Sequence, residues 1–138
     1  IPAQFPGIRE YLPQDATLTE ADIKRASSMG AQLSKADENT IYIPLKDKKP
    51  VGTAIIFPVN YQGKVFFLLL TTGRQLKVSQ VSVVAAGKVT NVANNKIYAT
   101  FKGVSVDALP KANGNTLEAA ITGGVKKAGT LLHVRLIK

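Results

Sequence analysis

The stretch VFFLLLTTGRQLKVSQVSVV, residues 65–84, decides the fold. A run of aromatic, aliphatic and β-branched residues covers Val65–Thr72, and a second run covers Leu76–Val84 after a turn that contains Gly73. Valines alternate with serine and glutamine in the second run, with one slip that indicates a β-bulge. The two runs together predict an antiparallel β-hairpin.

The same reasoning extends outward from this hairpin to further strands and two helices. A capping box at Thr19 and an apolar stripe predict a helix from Thr19 to Met29, and Leu117–Ala128 is predicted as a second helix. The predicted strands besides the hairpin are Thr40–Leu45, Val51–Val59, Lys96–Phe101 and Leu131–Ile137. This order predicts an α+β fold, a twisted and mostly antiparallel sheet with helices before and after the strand meander. The length predicts one domain over residues 1–138.

Two adjacent glycines, Gly123 and Gly124, lie inside the second predicted helix. Each costs about 1 kcal/mol relative to alanine in a helix interior. Either the helix breaks there or its backbone approaches another element closely. We favour the close approach, because Val125 and Ala128 continue the apolar spacing that Leu117 begins.

Composition excludes several kinds of site. The chain has no cysteine, which excludes disulfides, cysteine-ligated zinc, iron–sulfur clusters and thioether-linked haem. Its one histidine, His133, cannot form a metal site alone and is interpreted as an ordinary strand residue. No catalytic residue and no metal ligand is therefore predicted.

Two features bear on location. The longest apolar run, residues 65–70, is strand-sized and far below the roughly 18 residues of a membrane span. The chain begins at Ile1 without methionine, which fits a removed export signal, a trimmed membrane anchor or an expression fragment.

Charge is unevenly divided along the chain. Residues 1–47 carry a net charge of −2 and residues 48–138 one of +11, which gives the total of +9. A basic body favours anionic lipid headgroups, nucleic acid or an acidic protein as partner, although it also fits a surface that merely keeps the protein soluble. Lys126 and Lys127, with a neighbouring lysine, are expected to contribute to such contacts. No nucleic-acid motif accompanies the strand aromatics, so no specific nucleic acid is predicted.

The segment NGNTLEAAITGGVKKA, residues 113–128, carries the candidate site. Thr116 is placed to begin the second helix, where backbone N–H groups lack intrahelical partners and the dipole adds positive charge. Such a start can seat a phosphate. It can equally be an ordinary capped helix that binds nothing.

The order of segments along the whole chain resembles the FMN-binding domain family of the Rnf and Nqr electron-transport complexes and of regulators of the nitrous-oxide-reductase type. The resemblance runs through FPGI at Phe5, the hairpin, FKG at Phe101 and NGNT at Asn113. Asn113, Gly114, Asn115 and Thr116 match the positions of the family's Ser, Gly, Ala and Thr, and Thr116 matches the residue that holds the FMN phosphate. Asn115 and Pro110 stand where the family has Ala and Asp.

The resemblance implies a function as well as a fold. It implies an FMN-binding-like domain, an extracytoplasmic and membrane-associated electron carrier rather than a self-contained enzyme. The expected FMN site is Asn113, Gly114, Asn115, Thr116 and Leu117, with Val83–Gly87 beside the flavin ring. The segment AAGKVTN, residues 85–91, stands where the family has its ring-side loop. FMN would be held non-covalently or have been lost. The expected partner is a redox protein or membrane complex with an acidic surface, and a membrane anchor outside the chain is compatible with this.

An alternative from another functional class stays open. The chain would keep the fold without the cofactor and use its basic side to dock an anionic partner or surface.

Overall fold

The computed structural model describes residues 5–137 and has the predicted α+β architecture. Six strands and two α-helices follow one another along the chain, with two short 3₁₀ helices, Lys35–Asp37 and Lys96–Phe101. The strands and α-helices are β1 (Glu10–Ala16), α1 (Glu20–Ser28), β2 (Asn39–Lys46), β3 (Lys49–Pro50), β4 (Thr53–Tyr61), β5 (Lys64–Thr72), β6 (Val78–Ala85) and α2 (Leu117–Leu136). No helix among residues 5–137 is both long and apolar enough to cross a membrane.

The strands form one antiparallel sheet in the order β1-β2-β4-β5-β6, with β3 paired to β2. The predicted hairpin is confirmed as β5 and β6. Thr71 pairs with Gln80 but Thr72 pairs with Val78, so Ser79 is left over at a register shift. The predicted bulge therefore lies where the valine alternation slips.

Helix α2 covers one face of the sheet and completes the core. It packs against β4 and β5. Most of its circumference is buried, and its buried apolar side chains form one hydrophobic core with those on the inner face of the sheet. A Cβ at Gly124 would collide with Val59 of β4, and one at Gly129 would collide with Leu109. The expected close approach at the glycines is therefore confirmed for Gly124.

The prediction of a final strand over Leu131–Ile137 is wrong, because α2 continues to Leu136. His133 is accordingly a half-buried helix residue, and its carbonyl accepts a 2.9 Å hydrogen bond from the Ile137 N–H. Leu131 and Leu132 are fully buried. A short apolar run fits a buried helix as well as a strand, and burial on several sides decides for the helix.

The prediction of a strand over Lys96–Phe101 is also wrong, since these residues form a 3₁₀ helix. Asn95 begins it, with its side-chain oxygen accepting a 3.0 Å hydrogen bond from the Ile97 N–H. The Thr100 hydroxyl donates to the Ile97 carbonyl at 2.6 Å. These local bonds compete with a sheet ladder, as side chains of Asn and Thr commonly do.

Helix α1 agrees with its prediction. The Asp22 N–H donates to the Thr19 hydroxyl at 3.1 Å, and the Thr19 N–H donates to the Asp22 carboxylate at 3.0 Å, so both hydrogen bonds of the capping box are present.

Strand β1 was not predicted. It contains Glu10, Pro13 and Asp15 and pairs only with β2. Charges and proline are tolerated at the edge of a sheet, where half of the backbone groups face away from it.

Candidate functional site

The predicted site lies at the N-terminal end of α2. Gly114 has a φ of +93°, a conformation that favours glycine, and turns the chain into the helix. Thr116 is the N-cap, and its hydroxyl oxygen accepts a 3.1 Å hydrogen bond from the Ala119 N–H. The Ala120 N–H donates to the Thr116 carbonyl at 3.0 Å. The predicted helix start is thus confirmed to the residue.

Two open concavities flank this helix start, of about 340 and 580 Å³. The turn between β4 and β5 forms the opposite wall of both, through Tyr61 and Gln62. Asn115 and Thr116 line both concavities, whereas Leu117 lines only the larger one. The structure therefore places Asn115 and Thr116 between the two concavities, with Gly114 at the smaller one and Leu117 at the larger one. Asn113 is exposed just before them.

Glu118 occupies the first turn of α2, beside the place where a phosphate would sit. The Asn95 side-chain amide donates a 2.6 Å hydrogen bond to its carboxylate. This bond and the residue's own backbone N–H hold the pKa of Glu118 below its usual range. The carboxylate therefore remains charged at neutral pH and complements the helix dipole from within the chain. The contact with Asn95 was not predicted, because the two residues lie far apart in sequence.

The start of α2 is partly complemented by its own side chains. The Ala119 N–H donates to the Thr116 hydroxyl, and the Ala120 N–H makes the ordinary first intrahelical bond to the Thr116 carbonyl. The Glu118 carboxylate adds a negative charge in the first turn, which disfavours a phosphate beside it. Of the expected ring-side residues, Val83–Gly87 line neither concavity, whereas Thr90 and Asn91 of the loop 85–91 line the larger one. Val84 is 52% exposed on β6.

Lys126 and Lys127, which were expected on the contact surface, make contacts within the protein. Lys126 is only 6% exposed, and its ammonium donates a 2.6 Å hydrogen bond to the Leu109 carbonyl. Burial, and then the nearby Lys111, lower its pKa. Lys127 lies 3.9 Å from the Asp37 carboxylate. The expectation that this pair contacts a partner is therefore wrong for Lys126, whose ammonium fastens the loop before α2 to the helix.

A large group of exposed cations lies instead on a segment without any acidic residue, residues 48–106, which we call the basic segment. It contains eight lysines and arginines and no Asp or Glu. The basic segment supplies β3, β4, β5, β6 and the second 3₁₀ helix. All eight cationic residues are exposed: Lys48, Lys49, Lys64, Arg74, Lys77, Lys88, Lys96 and Lys102. The ion pairs found among residues 5–137 join Lys127 to Asp37 and Arg135 to Asp22, and neither includes one of the eight.

Topology gathers three of these cations at one end of the sheet. Lys64 begins β5 and Lys88 follows the end of β6, and antiparallel pairing places these two strand ends side by side. Lys96 follows Asn95, which contacts Glu118 at the start of α2. Lys64, Lys88 and Lys96 thus lie at the same end of the sheet as the candidate site, although none of them lines its concavities.

An apolar recess of about 470 Å³, which was not predicted, lies at the opposite end of the sheet. Arg74 is its one charged lining residue. Its apolar wall includes Ile43, Pro50, Leu76, Leu136 and Ile137. Among residues 5–137 no three His, Asp or Glu side chains are grouped as they would be around a metal ion.

Comparison of the chain with models of protein families, with curated proteins and with solved structures finds no match.

Proposed function

We propose that this protein is a binding module that docks an acidic partner through the cations of its basic segment. The observation that supports the proposal is the run of residues 48–106, with eight exposed cations and no acidic residue. Most soluble surfaces intersperse both signs of charge. A long segment that exposes charges of a single sign attracts an oppositely charged partner and steers its approach.

The start of α2 supports the same proposal. The Thr116 hydroxyl already accepts the Ala119 N–H, and Glu118 supplies a negative charge in the first turn. These two side chains complement the helix start from within the chain, and Lys64, Lys88 and Lys96 are exposed charges at the same end of the sheet.

The experiment measures binding to immobilised poly-L-glutamate at about 50 and about 300 mM salt, a range over which screening of exposed charges increases strongly. The test variant changes Lys64, Lys88 and Lys96 to glutamine. The control variant changes Arg9, Lys24 and Lys111 to glutamine, which removes the same charge from exposed positions outside the basic segment.

We expect salt-sensitive binding that the test variant loses and the control variant largely keeps. Equal weakening by both variants would show that net charge alone acts. Binding that is absent at low salt would also overturn the proposal.

The electron carrier that the resemblance implies is the competing proposal. The recess of about 580 Å³ beside Thr116 favours it, and the Glu118 carboxylate opposes it. Flavin bands in the visible spectrum of the freshly purified protein would support the carrier. A colourless protein that does not take up added FMN would support the docking module.

A further inference from the structure

On the outer edge of β6, only the first residue of the strand, Val78, makes backbone hydrogen bonds to another segment of the described chain. The Val78 N–H donates to the Val104 carbonyl at 2.8 Å, and the Gly103 N–H donates to the Val78 carbonyl at 2.7 Å. Within residues 5–137 no further backbone hydrogen bond outside the β5 ladder joins Ser79–Ala85 to another segment. Alternate residues of an edge strand direct their N–H and C=O groups away from the sheet, so these groups remain without a protein partner here.

Strand β6 also lacks the residues that normally protect an edge. Its sequence, VSQVSVVA, contains no charge and no proline, whereas β1 at the opposite edge contains Glu10, Pro13 and Asp15. Register shifts lie at both ends of β6 and leave Gln80–Val83 as its regular stretch. The free edge can therefore pair with about four residues of another strand before a bulge interrupts it.

A groove of about 400 Å³ runs beside this edge, between β6 and the 3₁₀ helix Lys96–Phe101. The Tyr98 hydroxyl donates a 2.7 Å hydrogen bond to the Val92 carbonyl, which fixes the aromatic wall of the groove. Burial raises the pKa of Tyr98 to about 12, so this donor keeps its proton at physiological pH. The lining consists of Ser79, Gln80, Val81, Tyr98, Ala99 and Lys102.

The charges around the edge determine which strand fits. Lys77 precedes β6, Lys88 follows it and Lys102 lines the groove, and no acidic residue occurs anywhere in the basic segment. A second copy of this chain would bring the same lysines against these, which is unfavourable. A segment with alternating carboxylates would place opposite charges beside them instead.

We propose that the outer edge of β6 binds an extended acidic segment of a partner protein, which adds to the sheet as a strand along Gln80–Val83 with carboxylates facing Lys102 and Lys88. The inference rests on the proposed function and specifies the partner as an extended acidic peptide. Backbone hydrogen bonds supply the pairing and the lysines supply the selectivity, as in other cases of strand addition.

The test uses a fluorescein-labelled octapeptide of alternating glutamate and valine, and the same peptide N-methylated at every residue after the first. Both carry equal side-chain charge, but the methylated one has no backbone N–H left on either edge to donate to a strand. Binding is followed by fluorescence anisotropy. Amide hydrogen exchange of Gln80–Val83 is measured with each peptide. Poly-L-glutamate serves as the parallel probe of charge attraction alone.

We expect the unmethylated peptide to bind at least about tenfold more tightly, the loss expected from a few missing backbone hydrogen bonds, and to slow exchange at Gln80–Val83. Lys102→Gln should weaken it by about threefold, whereas Lys24→Gln on α1 should leave it unchanged.

Equal binding of the two peptides, or binding of poly-L-glutamate but not of the octapeptide, would overturn strand addition and leave the proposed function standing. Failure of all three probes would overturn both.

Discussion

Gly124 of α2 lies directly against the side chain of Val59 of β4, so closely that a Cβ at this position would overlap the valine Cγ2 atom. The neighbouring Gly123 lies on a different side, where a Cβ would meet the Ala112 Cβ at an ordinary 3.4 Å. The two adjacent glycines therefore have different roles. One lets the helix approach the sheet, and the other does not take part in that contact.

Gly124→Ala should lower the free energy of unfolding by about 1–3 kcal/mol, because overpacking outweighs the gain in helix propensity. Gly123→Ala should leave it unchanged or raise it by up to about 1 kcal/mol. Urea denaturation followed by circular dichroism measures both. A stabilising Gly124→Ala would contradict the close approach of α2 to β4.

Lys126→Ala should destabilise the fold by about 1–3 kcal/mol, because the buried Leu109 carbonyl loses its hydrogen-bond donor. Lys127→Ala should change stability by no more than about 0.5 kcal/mol, since its ion pair is long and partly exposed. Thermal denaturation of the two variants compares them. Equal effects would show that the Leu109 contact contributes nothing.

The Asp22 carboxylate should stabilise the protein in a pH-dependent way. The Thr19 backbone N–H donates a hydrogen bond to this carboxylate, and this bond is the main reason that the pKa of Asp22 lies below 3.8. The nearby Arg135 also lowers the pKa, whereas burial raises it. Because the folded pKa is the lower one, the stabilisation is present above the unfolded pKa and is lost as pH falls through the folded pKa.

Asp22→Asn should accordingly reduce stability at pH 7, and the difference from the original protein should shrink as the pH falls below 3.8, the unfolded value. Urea denaturation over this pH range measures it. A difference that stays constant with pH would mean that the charge of Asp22 is not involved.

Binding of FMN at the start of α2 should be limited by Glu118. We expect Glu118→Gln to increase any affinity for FMN, because it removes the negative charge from the seat, and Thr116→Val to decrease it. Fluorescence quenching of FMN measures both, and intact mass should equal that of the bare polypeptide. FMN binding that neither substitution alters would show that the flavin lies elsewhere, for example in the recess beside Arg74.

Much of the fold could be predicted from local sequence signals. The hairpin residues 65–84, the capping box at Thr19 and the cap at Thr116 all depend on residues close together in the chain, and all three are confirmed. Strand β1 was missed because it contains proline and acidic residues, which argue against a strand. They are tolerated here because β1 is an edge strand that pairs only with β2. The segment 131–137 was misassigned because only its burial among other elements distinguishes a helix from a strand.

The helix start at the candidate site was predictable from the sequence, but the contacts around it were not. Thr116 was located by its capping residues, whereas the contact between Asn95 and Glu118 depends on tertiary structure. The burial of Lys126 could not be predicted from the sequence either, because a charged side chain normally indicates a solvent-exposed position. The absence of acidic residues from the basic segment was readable in the sequence, and the structure adds that all eight of its cations are exposed.

The position of α2 after all six strands has a consequence for synthesis. During translation the strands leave the ribosome before the helix that covers their apolar face, so β4 and β5 must wait for a partner that is distant in sequence. Folds that depend on such distant contacts form slowly and expose apolar strands meanwhile. The stretch VFFLLL is the part of the nascent chain that most needs protection from aggregation until Leu117–Leu136 has emerged.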